Sequence, residues 1–296
     1  MKQKLNKLEK YWVMYDVGNS AFALLVSTII PIYFKNMATQ NGISAADSTA
    51  YLSYAISIST LIVAILGPVL GTVADGKNRK KPLFTLFMMV GVIGCAALAL
   101  PKSAMLFLVV FVITKVGFSG SLIFYDSMLV DVTTDERMDD VSSQGYAWGY
   151  IGSCVPFVLC LVIVLGSDPL GIRMETAMGI AFVLVAVWWL LMSLPLLKNY
   201  EQKYYVEKKP HAIAQSFKRL GETFKNMKEE KQVFMFLLAF FFYIDGVYTI
   251  IDMATAYGSA LGLDSTGLLL ALLVTQIVAF PSALVFGRLS AKYPSS

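Results

Sequence analysis

The chain has 296 residues, 57% of them hydrophobic and only 15% charged, with a formal net charge of +4. Soluble domains carry about 25% charged residues, so this composition excludes an ordinary soluble fold. A net charge of +4, with all cations but Lys115 in terminal or connecting segments, implies no nucleic-acid partner.

Eight apolar runs approach the twenty or so residues needed to cross a hydrocarbon core. They lie at roughly 13–34, 50–73, 83–101, 104–128, 143–166, 175–197, 232–256 and 265–287. Only helices satisfy every backbone group internally in such spans, so the expected fold is an all-α polytopic bundle. Twenty lysines and arginines fall in the segments on one side, against Lys35, Lys102 and Arg173 on the other and Lys115 within a span. Basic segments stay cytoplasmic, which predicts both termini inside. The basic head before residue 13 does not read as a signal peptide. The run behind it is too long and contains Asp16, Asn19 and Pro31. Cys95, Cys154 and Cys160 all lie inside spans and read as small buried hydrophobes. No metal or cofactor is expected.

Span 1 places Asp16, Asn19, Ser20, Ala23 and Ser27 on one face at 100° per residue. Residues 35–49 read as a polar outer loop. Between spans 2 and 3 stands LGPVLGTVADGKNRKKP, residues 66–82. Its Gly67 and Gly71 would let another helix approach closely; Asp75 sits where the helix leaves the bilayer. Lys77, Arg79, Lys80 and Lys81 then pin the loop inside. Pro101-Lys102-Ser103 is a short turn that makes spans 3 and 4 antiparallel neighbours. Span 4 carries Lys115 and Asp126, eleven residues and three turns apart on the face of Ser119. A lysine at the bilayer centre costs roughly 2.5–3.5 kcal/mol, which asks for a partner or a wet cavity.

The acidic stretch 131–140 reads as a solvated loop able to pair with the Lys77–Lys81 cations. Gly145, Gly149 and Gly152 form a close-packing stripe in span 5. The polar segment 198–231 reads as a linker on the membrane surface. Within it Ile213, Phe217, Leu220, Phe224 and Met227 draw an amphipathic stripe over 211–227. Span 7 holds Asp245 and, one heptad on, Asp252; Tyr248 and Thr249 share the Asp245 face. Span 8 holds Gln276 and Pro281. An offset of 216 residues lays Gly71 on Gly287, as a duplicated half would. No His-Glu-x-x-His, serine-nucleophile or phosphate-loop pattern is present, so the chain does not read as an enzyme.

The order Gly-x-x-x-Asp-Gly-Lys-Asn-Arg-Lys between spans 2 and 3 resembles the loop signature of the major facilitator superfamily. Gly76 stands where that signature has a cation, and Asn78 where it has glycine. The run Tyr15-Asp16-x-x-Asn19-Ser20-Ala21-Phe22-Ala23 with Pro31-Ile32-Tyr33-Phe34, and the stretch from Tyr125 through Gly152, resemble the vacuole-effluxer branch, the autophagy-related amino-acid exporters and their bacterial relatives.

The resemblance implies a twelve-span transporter of which this chain carries about the first eight. Residues 1–197 would be a complete six-span half, 198–231 the cytoplasmic linker, and 232–296 two spans of the second half. It implies secondary active transport of a small polar, amino-acid-like solute by alternating access, across the plasma membrane, with the lipid bilayer as the other partner. A truncated remnant without transport activity is the other expectation. Spans 1, 4 and 7 of the superfamily line the pathway, so Asp16, Asn19, Lys115 and Asp245 become pathway candidates, with Asp126, Asp252 and Gln276 behind them. Lys115 would take a carboxylate and Asp245 an ammonium or a coupling proton, unless Lys115 and Asp245 form an internal pair. Gly67, Gly71, Asp75, Lys77, Arg79 and Lys80 become the gating motif, in which the acid caps span 11 of the opposite half.

Overall fold

The computed structural model describes residues 4–167, 169, 171–207, 217–218, 221–222 and 231–292. Among the described residues there is no β-strand, and eight segments are long and apolar enough to cross a membrane. Span 1 is two helices, Lys7–Ser27 and Ile29–Gln40; spans 2 to 4 are Ala45–Ala74, Lys80–Ala97 and Ala104–Val132. Span 5 is Met138–Leu165 after a short 3₁₀ turn, span 6 is Met174–Asn199, span 7 is Lys231–Ala260 and span 8 is Ser265–Lys292. Helix therefore covers most of 35–49, where sequence suggests a loop, and the connection shrinks to a turn around Asn41–Gly42 with Ser44 capping span 2. Of the stripe expected over 211–227, all but residues 217–218 and 221–222 lie outside the described residues.

Span 1 is the axis of the bundle. Trp12, Tyr15, Phe22, Leu25, Ile29 and Phe34 are all buried along it, and it packs on spans 5 and 6. Glycine sets how close these helices come. A Cβ at Gly145 would stand 2.7 Å from the Trp12 ring, at Gly149 2.7 Å from Ser20 Oγ, and at Gly152 2.6 Å from Val17 Cγ1. The stripe read in span 5 is thus the seat of span 1. Spans 3 and 4 approach still closer: a Cβ at Gly117 would meet the Gly91 backbone nitrogen at 2.5 Å. Gly67 and Gly71 differ from their reading. Gly67 has only Ile123 Cδ1, at 3.8 Å, and Gly71 has nothing within 4 Å. Gly287, their repeat, does meet a helix, with Ser143 Cβ 2.6 Å from the Cβ position.

Span 1 breaks where chemistry asks it to. Thr28 leaves helical geometry at φ −121°, ψ −77°. The Ser27 and Thr28 hydroxyls both donate to carbonyls one turn back, a bond that bends helices. Pro31 then lacks the N–H that would reach the Ser27 carbonyl.

Two ends of the bundle can be told apart. At the basic end, Glu9 closes a capping box with Asn6 and accepts from Thr133 Oγ1 at 2.7 Å and Arg137 at 2.8 Å. At the far end, Asn41 Oδ1 accepts from the Ala104 amide at 3.1 Å. Span 8 lies on span 5, with Trp148 and Phe280 edge to face at 5.7 Å.

Candidate functional site

The loop residues of the expected gating motif, Asp75, Lys77, Arg79 and Lys80, fold into a clamp at the basic end. Asn78 adopts φ +57°, the left-handed conformation asparagine tolerates. Lys80 is buried, and its ammonium donates to Asp131 Oδ2 at 2.9 Å and to the Ser127 carbonyl at 2.9 Å. Asp131 is fully buried, so it is not part of a solvated loop. It also accepts from Tyr200 Oη at 2.5 Å and from the Lys203 and Tyr204 amides at 2.9 Å each. Four donors on one carboxylate compensate the burial of its charge.

The segment after span 6 completes the clamp. Gln202 accepts from the Arg79 and Lys80 amides at 3.2 and 3.3 Å and donates to the Ala74 carbonyl at 3.1 Å. The Val206 amide donates to the Asp75 carbonyl at 2.7 Å, and Lys77 stands 5.3 Å from the Tyr205 ring centre. The Asp75 residue itself is exposed at the helix end. Sequence reading missed Glu9 and Tyr200. The Asn6-x-x-Glu9 spacing was a legible capping box; Tyr200 carried no local signal.

Among the described residues, the hydrogen bonds and ion pair from span 7 to the first six spans lie toward its far end. Lys35 Nζ donates to the Ser259 carbonyl and Oγ, both at 2.9 Å. Thr255 Oγ1 donates at 2.5 Å to the Ser27 carbonyl that Pro31 leaves free. Ser53 Oγ lies 3.7 Å from Met253 Sδ. Lys115 donates to Asp252 Oδ2 at 2.8 Å, with the two side chains 10% and 20% exposed. The partner of Lys115 is thus Asp252 and not Asp245. Asp245 lies two turns nearer the basic end, exposed and without hydrogen bond or ion pair among the described residues. Gln276 is half-buried in span 8.

Below those contacts no hydrogen bond or ion pair among the described residues joins span 7 to spans 1, 4 and 5; we call the region between them the cleft. Asp16 is buried at its wall, and Asn19 Nδ2 donates to Asp16 Oδ1 at 3.3 Å and to the Tyr15 carbonyl at 3.1 Å. Asp126 is exposed on span 4, within electrostatic reach of Asp16. Tyr146 and Tyr150 of span 5 and Tyr248 of span 7 stand close enough to interact across the gap. Gly145 and Gly149 are what bring Asp16 to this wall. A Cβ at either would lie 3.3 or 3.2 Å from Asp16 Oδ2. Such an arrangement joins span 7 to the first six spans toward the far end and leaves carboxylates without an ion pair, among the described residues, toward the basic end.

The sequence matches the family described as vacuole effluxer Atg22 like over residues 43–137 and 130–296. It is similar to the uncharacterized MFS-type transporter YxiO of Bacillus subtilis (strain 168), with 44% identity over 298 residues, 99% of this chain and 70% of that protein. It is also similar to autophagy-related protein 22-1 of Emericella nidulans, with 24% identity over 169 residues, 52% of this chain and 27% of that protein.

Proposed function

Because the chain belongs to the vacuole effluxer Atg22-like family, we propose that it is a secondary active transporter moving a small polar, amino-acid-like solute by alternating access. It is an integral membrane protein with eight apolar helices among its described residues; its Bacillus relative is named an MFS-type transporter and its family a vacuole effluxer. We take residues 1–197 as one rigid half, 198–231 as the linker and 232–296 as the start of the second half. From the positive-inside bias we infer that the basic end and both termini face the cytoplasm, and we propose the plasma membrane as the location.

One observation carries the reading. Among the described residues, every bond from span 7 to spans 1, 2 and 4 lies toward the far end, at Ser259, Thr255, Met253 and Asp252. The basic-end half of span 7 is exposed. That is a pathway closed outside and open inside, with Asp16, Asn19 and Asp126 on its wall. Lys115 and Asp252 serve as its outer latch, and Asp245 as the candidate carrier of a coupling proton.

The test is transport by the full-length protein in liposomes. Ser53→Cys with Met253→Cys, bridged by a bifunctional thiol reagent with a cleavable disulfide spacer, should stop uptake of labelled amino acids. Reductant should restore it. Unchanged transport by the bridged protein would show that the far-end contacts are not a gate.

A further inference from the structure

Asp16 and Asp126 are acids of the cleft that no cation answers among the described residues. Asp16 Oδ1 accepts from Asn19, while Oδ2 lies over the glycine backbone of span 5. Asp126 makes no hydrogen bond among the described residues, and Asp16 lies within its electrostatic reach. Two like charges near apolar protein repel more strongly than in water, so the pair favours whatever brings positive charge between them.

A second observation is independent of the acids. The Tyr125 hydroxyl is buried and has no hydrogen-bond partner among the described residues. Buried hydroxyls are nearly always paired, and an orphan asks for an explanation. Tyr125 cannot easily turn away, because Trp12 stacks on its ring at 4.3 Å and 12° and donates to its carbonyl at 3.1 Å. Trp12 lies one helical turn from Asp16, and the Tyr125 hydroxyl lies within electrostatic reach of Asp16 and Asp126.

We propose that Asp16, Asp126 and the Tyr125 hydroxyl form the receptor for an organic ammonium group of the transported solute. Tyr146, Tyr150 and Tyr248 supply ring faces around it. The assignment rests on the transport reading above and gives that site a ligand chemistry. An ammonium has three N–H donors to divide between two carboxylates and a phenol oxygen, and ring faces attract alkylated ammonium ions. A bare alkali ion would gain little from the rings. Asp252 is already neutralised by Lys115 farther out, so that acid does not compete with this pair for the ammonium.

The experiment is carbodiimide labelling of Asp16 and Asp126 in the full-length protein in nanodiscs, read by peptide mass spectrometry. Methylammonium chloride should protect both carboxylates several-fold, and sodium chloride at equal concentration should not. Tyr125→Phe should keep the fold and its thermal midpoint yet weaken protection by methylammonium. Asp126→Asn should abolish protection at Asp16. Equal protection by sodium would make this an inorganic-cation site and overturn the proposal. Labelling that responds to pH but to neither cation would make it a proton site and overturn it equally. The readout needs no turnover. Protection in a protein that moves no solute would therefore uphold the receptor and overturn transport, and transport without protection would do the reverse.

Discussion

The Thr255 hydroxyl donates to the Ser27 carbonyl at 2.5 Å, and Pro31 is the reason that carbonyl is free. In a regular helix residue 31 would donate to residue 27; proline cannot, and in a membrane a neighbouring helix must then satisfy the orphan. Span 7 does so. Thr255→Val should therefore leave a buried carbonyl unpaired and loosen the far-end contact by about 1–3 kcal/mol. Pro31→Ala should let the helix reclaim its own carbonyl, so that Thr255→Val costs much less in that background. A double-mutant cycle on thermal stability reads the coupling, and strict additivity would show that the proline and the threonine act separately.

Asp131 should be the stability centre of the basic end. Asp131→Asn keeps the shape but removes the charge that answers buried Lys80. Breaking one partner of a buried pair costs roughly 3–5 kcal/mol, so the thermal midpoint should fall sharply. Asp75→Asn, at an exposed residue whose carbonyl and not its carboxylate is bound, should leave stability unchanged. Its effect should appear in transport by the full-length protein, if its carboxylate meets the opposite half. Tyr200 adds a pH signature. Burial, its hydrogen bond to Asp131 and that carboxylate's charge hold the phenol protonated well above its ordinary value of 10.0. The unfolded chain ionises near that ordinary value, so this contribution is complete below about pH 10 and declines as the pH rises past it. Tyr200→Phe should lessen the alkaline decline.

Legibility followed the range of the interaction. The eight spans were readable because hydropathy and charge bias are local and the bilayer imposes length. The span-5 glycines were readable because small residues at helical spacing have one common use. Residues whose meaning depends on another span were not. Lys115 needs an acid, and both Asp245 and Asp252 lie on span 7 one heptad apart; no sequence rule chooses the register between two helices. Gly67 and Gly71 look like Gly145 and Gly149, but in this arrangement no helix presses on them: Gly67 has only Ile123 Cδ1 at 3.8 Å and Gly71 nothing within 4 Å. Tyr125 passes as an aromatic core residue until its hydroxyl is seen to lack a partner among the described residues.

That contrast among glycines can be measured. A Cβ at position 117 would stand 2.5 Å from the Gly91 backbone nitrogen, which has no side chain to swing aside. Gly117→Ala should push spans 3 and 4 apart and cost about 1–3 kcal/mol, as overpacking does. Gly149→Ala meets Ser20 Oγ at 2.7 Å, a contact that a rotamer change can relieve, and should cost less. Gly71→Ala meets nothing within 4 Å and should be neutral or stabilising, since alanine is favoured over glycine in a helix by about 0.8–1.0 kcal/mol. Thermal midpoints of the three variants in one detergent give the order, and a loss at Gly71 equal to that at Gly117 would show that span 2 is packed there in the bilayer.

The last prediction concerns the Lys115–Asp252 pair. Both side chains are mostly buried, at 10% and 20% exposure, so neither charge is fully served by water when the other is removed. Truncating one partner of such a pair costs about 2–5 kcal/mol, much of it the penalty on the charge left behind. Because the pair joins span 4 to span 7 above the cleft, that penalty falls on the closed far end and not on the fold of the first six spans. Lys115→Met should therefore make Ser27→Cys and Thr255→Cys reactive toward a membrane-impermeant thiol reagent added at the far side, while the midpoint of unfolding moves little. Asp252→Asn should do the same from the other partner. The double substitution leaves no stranded charge and should return part of the far-end protection, but it should not return transport if the latch must form and break in each cycle. Full recovery of transport by the double variant would reduce the pair to a structural contact. A collapse of unfolding temperature in both single variants, with no change in far-side reactivity, would place its role in folding and remove it from the gate.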